Sequence, residues 1–192
     1  MEERPDIAHE RVRHRWEAGY GIVETMFALA ILTVAFLAHA SLTVTGKAHN
    51  RLNEEKRLAL EALRAQLEIL RNFDFHTCFA AFDEATINDP PGARGPHFDI
   101  EGLSSSPSDA DGRVGRIVFP TAVPDEGGAP VLREDVADPR LMMSADLDGD
   151  GLIDAFAKDT AYVHLPVLVE ARWRGSAGDA RVTLATWLTP RR

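Results

Sequence analysis

The sequence predicts an α+β protein: a long N-terminal helix, membrane-spanning in its first half, whose second half packs on a small antiparallel sheet head. Three observations carry this. Thr25 to Gly46 is uncharged over about 22 residues, roughly 33 Å of helix and enough to cross a bilayer. Beyond Gly46 the apolar residues keep helical spacing instead of stopping. Near the C-terminus apolar and polar residues alternate, which is the period of a half-buried strand.

The helix comes first. From Tyr20 to Asn72 there is no Pro, and Gly21 and Gly46 are the only glycines. Leu60, Leu63, Leu67 and Leu70 recur at steps of three and four, with Ala59, Ala62 and Ile69 widening the stripe. Arg64 stands within helical reach of Glu61 and Glu68 on the polar side. The stripe is too short for a coiled coil, with fewer than four clean heptads. Phe73, Phe75, Phe79 and Phe82 then form an aromatic cluster on a short helical segment, suited to packing against the first helix.

Pro, Gly and Ser mark residues 88–107 as a loop, within which His97 to Ile100 reads as a short strand. Arg116 to Phe119 is a second strand, ended by Pro120, and another loop leads to Val131-Leu132. Val163–Trp173 and Ala180–Leu188 are the strongest strand signals, joined by the turn-rich connector Arg174 to Asp179. Val167, Val169, Ala171 and Trp173 face one way, and Leu168, Glu170 and Arg172 the other. Pro166 belongs near the start or edge of the strand.

Glu24 stands just inside the membrane stretch. A carboxylate there costs about 2.5–3.5 kcal/mol on insertion scales, so it points to a function. Gly19-Tyr20-Gly21-Ile22-Val23-Glu24, followed at once by the apolar helix, resembles the N-terminus of type IV prepilins and type II secretion pseudopilins. In that family a leader ends in Gly and the mature chain opens Phe-Thr-Leu-x-Glu. Gly19 matches the last leader residue, Tyr20 the first mature one and Glu24 the family glutamate. Tyr20 stands where Phe is usual, Gly21 where Thr or Ser is common, and no Lys or Arg directly precedes Gly19.

The resemblance implies cleavage after Gly19 by a prepilin peptidase and N-methylation of Tyr20. It implies that Glu24 neutralises the N-terminal amine of a neighbouring subunit, so that the partners are other pilin or pseudopilin subunits. It also implies single-pass residence in the inner membrane with the head in the periplasm, then entry into a filament. The chain divides accordingly into a leader over 1–19, the membrane half of the helix over 20–46 and a pilin-like head over 47–192. Basic residues flank the span almost evenly, so charge alone does not orient it. Two other readings stand beside this one. Ala38-His39-Ala40 has the form of a signal-peptidase site, although Glu24 would interrupt its apolar region. The chain also reads as an uncleaved membrane-anchored calcium-binding module.

That last reading rests on Asp146-Leu-Asp-Gly-Asp-Gly-Leu-Ile-Asp154. Asp146, Asp148, Asp150 and Asp154 occupy positions one, three, five and nine of an EF-hand-type loop. Gly151 supplies the bend, the Leu152 carbonyl position seven, and Ile153 is expected to face inward. Ala157 stands where the bidentate Glu belongs, with Asp159 as a substitute. Calcium is the expected cofactor, and a solvated Asp/Gly turn is the alternative. Asp109 to Gly112 reads as a plain turn.

The net charge of −9 argues against nucleic acid as a partner. The single Cys78 excludes an intrachain disulfide, and its apolar neighbours suggest a buried thiol more than a nucleophile served by His76. No Gly-rich phosphate loop, G-x-S-x-G or zinc-spaced His pair occurs, so the sequence points to packing and recognition and not to catalysis.

Overall fold

The computed structural model describes residues 21–86, 89–107, 109, 111–125 and 127–190. Gly19 and Tyr20 lie outside the described residues. The chain divides between Thr45 and Gly46 into two compact units. Helix α1, Ile22–Asn72, contributes to both.

In the first unit every described residue is exposed, including Phe27, Phe36 and Leu42. An 18-residue window of α1 has a mean hydropathy of 2.1 and none of it is buried. The helix is long and apolar enough to cross a membrane. Its threonine hydroxyls suit hydrocarbon, because they are satisfied within the helix: Thr33 Oγ1 donates to the Leu29 carbonyl at 2.7 Å, and Thr43 and Thr45 do likewise to His39 and Ser41 at 3.0 Å.

The second unit is an α+β head. The last turns of α1 bury Ala59, Leu63, Leu67 and Leu70, steps of four, four and three that keep one face on the sheet. Leu60, Ala62 and Ile69 are only half-buried beside that stripe. Small Ala59, not Leu60, lies on the central line. The expected Arg64 pairs are replaced by Arg57 with Glu61 at 2.8 Å and Arg71 with Glu68 at 2.9 Å.

Asp74 ends α1 and starts α2, Phe75–Phe82, by accepting from the His76 amide at 3.0 Å. The aromatic cluster packs edge to face, with Phe73 on Phe82 at 5.2 Å, Phe75 on Tyr162 at 5.0 Å and Phe79 on Phe119 at 5.4 Å. Tyr162 fixes the short helix further. Its hydroxyl donates to the Phe75 carbonyl at 2.5 Å and accepts from the Phe79 amide at 3.3 Å.

Among the described residues six strands follow: β1 (His97–Phe98), β2 (Gly115–Val118), β3 (Thr121–Ala122), β4 (Val131–Leu132), β5 (Leu165–Gly175) and β6 (Gly178–Leu188). β1-β2-β5-β6 form an antiparallel sheet in that order, and β3-β4 a separate pair. β2 starts one residue earlier than the sequence suggests because the Phe98 ring lies over Gly115, where any Cβ would collide with it.

The β5–β6 hairpin also differs from expectation. Its strands run through Gly175 and Gly178, leaving Ser176 and Ala177 as a two-residue turn. Glu55 on α1 accepts from the Ser176 amide at 3.2 Å, and its Oε2 would lie 2.7 Å from a Cβ at Gly175. The glycine therefore serves a close approach inside the ladder. β5 is buried on both faces from Leu165 to Ala171, not on one. Pro166 fits there because β2 reaches only to Leu168, leaving its nitrogen without a ladder partner to disappoint.

Candidate functional site

Two sequence-predicted sites fall among the described residues. Glu24 lies in the first turn of α1, where free backbone N–H groups and the helix dipole favour a carboxylate. It is exposed on an exposed apolar helix. The neighbouring Thr25 is satisfied locally, its amide donating to the Gly21 carbonyl at 3.1 Å and its hydroxyl to the Ile22 carbonyl at 2.7 Å. Among the described residues up to Gly46, Glu24 is thus the one charged side chain on an exposed apolar helix that is long enough to cross a membrane.

The acidic loop is built on Leu147, which is fully buried and whose carbonyl accepts from Val163 and His164 at 2.7 and 2.9 Å. Around that plug the aspartates close their own turns. Asp146 accepts from Gly149 at 2.6 Å and Gly151 at 2.8 Å. Asp148 accepts from Asp150 at 3.1 Å, Asp150 from Leu152 at 2.7 Å, and Asp154 from Phe156 at 2.9 Å. Gly149 and Gly151 have φ of 84° and 85°, so the bend expected at Gly151 is shared with Gly149.

Two residues that the motif does not contain organise this loop. Glu134 is fully buried, and its carboxylate accepts from the Leu147 amide at 2.7 Å, Asp148 at 3.3 Å and Asp154 at 3.2 Å. Lys158, also buried, donates to Asp148 at 2.6 Å and Asp154 at 3.3 Å, with Glu134 3.7 Å away. The Asp148 hydrogen bond holds the Lys158 ammonium above the ordinary lysine range, and Lys158 in turn holds Asp148 low. The crowded carboxylates are therefore neutralised in part by the chain's own cation. The only sequence signal for Lys158 is its place four residues after Asp154, and Glu134 has none.

Two expectations for the loop are corrected. Ile153 does not face inward: it is 52% exposed, beside Leu152 at 66%. In this loop Leu147 fills the core, and Ile153 lies on the exposed side. Asp159 is not the substitute for the missing position-twelve Glu, since it accepts from the Leu132 amide at 2.6 Å and ties the loop to β4. The oxygens that do converge, within 4.8 Å of one another, belong to Glu134, Asp146 and Asp148. This is a donor set of hard carboxylate oxygens, suited to calcium or magnesium more than to zinc. The carboxylates of Asp150 and Asp154 stand outside it.

Cys78 is fully buried, and burial, reinforced by Asp74, pushes its thiol up to about 12, away from thiolate chemistry. The Gly112 amide donates to the Asp109 carbonyl at 3.4 Å, and Asp111 meets His97 on β1. No protein-family model, no curated protein and no solved structure matches the chain.

Proposed function

We propose that the protein is a pilin-like filament subunit, a minor pilin or pseudopilin, processed after Gly19 and assembled through Glu24. The observation that supports this best is a single carboxylate in the first turn of a helix whose apolar first half is wholly exposed, ahead of a compact α+β head. A carboxylate and an amine that are both stranded in hydrocarbon are each costly alone and much cheaper as a pair. Glu24 then selects a neighbour that offers an N-terminal amine, here the methylated Tyr20 of another subunit. The α1 surface from Ile22 to Val44 supplies the helix packing, and the head supplies recognition outside the inner membrane. Glu24→Gln keeps the shape and removes the charge. It leaves processing and insertion unchanged and lowers the amount of the protein in sheared filaments. Equal amounts of wild type and variant in those filaments would refute the role.

A second reading is carried by the convergence of Glu134, Asp146 and Asp148: a membrane-anchored module whose loop takes calcium once Lys158 gives way. The ammonium beside Asp148 would compete for that site, so the expected affinity is toward the weak end, about 10⁻⁴–10⁻³ M.

A further inference from the structure

The four-stranded sheet runs β1-β2-β5-β6, so β5 covers one side of β6 and no strand among the described residues covers the other. At the opposite edge β1 has only two residues. β6 has eleven, about twice the usual strand length. Its ladder to β5 runs without a bulge from Gly178 to Leu188. The devices that commonly blunt an edge do not occur in it. It holds no Pro and no Lys, and after Asp179 and Arg181 the stretch from Val182 to Leu188 carries no charge.

The register shows which groups stand open. Gly175 and Gly178 close the two-residue turn as a hydrogen-bonded pair. The alternate pairs, Arg174 with Asp179, Arg172 with Arg181 and Glu170 with Thr183, therefore turn their N–H and C=O groups away from each other's strand. On β5 these outward amides are used: Arg174 donates to the Ser104 carbonyl at 2.9 Å and Arg172 to the Val114 carbonyl at 2.8 Å. On β6 the outward groups belong to Asp179, Arg181, Thr183, Ala185 and Trp187. Among the described residues none of these amides has a hydrogen-bond partner. The inner side chains agree. Opposite the buried Ala171 and Val169 of β5, Val182 and Leu184 are only half-buried, so the apolar side of the sheet continues to its edge.

We propose that β6 takes an added strand: an extended, uncharged segment of a partner protein, with apolar side chains beside Val182 and Leu184 and polar ones beside Thr183. A row of unpaired amides and carbonyls at strand spacing is complementary to an extended backbone. The run from Val182 to Leu188 has no charge to set against a charged strand. A second copy is not the occupant. Within the head α1 runs along β6 in the same sense, with Glu55 at the Ser176 turn and Leu70 lining one cleft with Leu188. Antiparallel pairing of two β6 strands reverses α1, whereas copies inserted side by side in one membrane share its direction. Parallel pairing turns one copy over and sets its Val182 and Leu184 beside the other's Arg181 and Thr183. The proposal goes beyond the filament reading and does not depend on Glu24.

The test uses the full chain in detergent micelles and a fluorescent peptide of alternating Thr and Val, N-methylated on its valines. That peptide has one open edge and does not self-associate. Its free amides belong to the threonines, which leaves the valines for the side of Val182 and Leu184. It binds, and it slows hydrogen exchange at Arg181, Thr183 and Ala185 while leaving Val182 and Leu184, already bonded to β5, unchanged. The isomer methylated on its threonines binds about tenfold more weakly, because it turns its apolar side to the polar face. Thr183→Pro removes one outward N–H without breaking the ladder to β5, and it lowers the affinity about tenfold. If that variant does not fold, the exchange pattern of the wild-type chain decides. No binding, protection elsewhere, or equal binding of the two isomers would overturn the proposal. So would protection of the Thr183 amide that appears without peptide as the chain is concentrated, since a second copy would then hold the edge.

Discussion

Replacing Glu134 by Ala removes the one acceptor that holds both ends of the acidic loop. Three amides lose their partner: Leu147, Asp148 and Asp154, now at 2.7, 3.3 and 3.2 Å from the carboxylate. The Leu147 amide belongs to a fully buried residue, and leaving it unsatisfied costs about 1–3 kcal/mol. The other two are nearer to solvent and can turn to water, so each loses about 0.5–1.5 kcal/mol. The sum is about 2–6 kcal/mol. At about 2–4 °C per kcal/mol for a domain of this size, the melting temperature of the head from Lys47 onward falls by at least about 4 °C. Glu134→Gln retains a carbonyl acceptor and falls between wild type and Glu134→Ala. Circular dichroism melting measures all three. A Glu134→Ala head that melts within about 1 °C of wild type would refute the assignment of Glu134 as the loop's anchor.

Calcium at millimolar concentration raises the head's melting temperature, by linkage up to about 2.7 kcal/mol at 100 times the dissociation constant. Lys158→Met removes the competing ammonium and enlarges the rise, and Asp148→Asn abolishes it; coincident curves in calcium and chelator for wild type and Lys158→Met would make the loop a lysine-closed turn. Asp83 responds to pH. Burial raises its carboxyl from 3.8 to about 6, so the unfolded chain ionises first, and stability that is fully present below pH 3.8 is lost as pH rises to about 6. Asp83→Asn keeps the acceptor for the Ala85 amide, at 3.1 Å in the native head, and flattens that slope in urea titrations at pH 4 and pH 6.5; an unchanged slope would assign it to other groups.

Leu63, Leu67 and Leu70, with no Pro from Tyr20 to Asn72, made the long helix readable, because local spacing and burial agree there. The hairpin was readable from the alternation through Trp173 and from Val182 onward. Its turn was not, since Gly175 and Gly178 look like connector residues and only the approach of Glu55 from α1 explains Gly175 inside the ladder. The aspartate spacing marked the acidic loop correctly as a bend with Gly151 at φ 85°. What fills that loop was hidden for two reasons. Glu134 is brought in from β4's exit by tertiary packing, and Lys158 reads in sequence as an ordinary surface charge. The calcium-loop pattern also misplaced Ile153, because Leu147 is the side chain that this loop turns into the core.

The N-terminal residue of the mature protein tests the central claim most directly. Mass spectrometry of the protein extracted from membranes of cells that hold the peptidase reads it in one step. The account predicts a chain that begins at Tyr20 and carries a methyl group on its amine. A chain that begins at Ser41, or one that retains residues 1–19 in such cells, would contradict it.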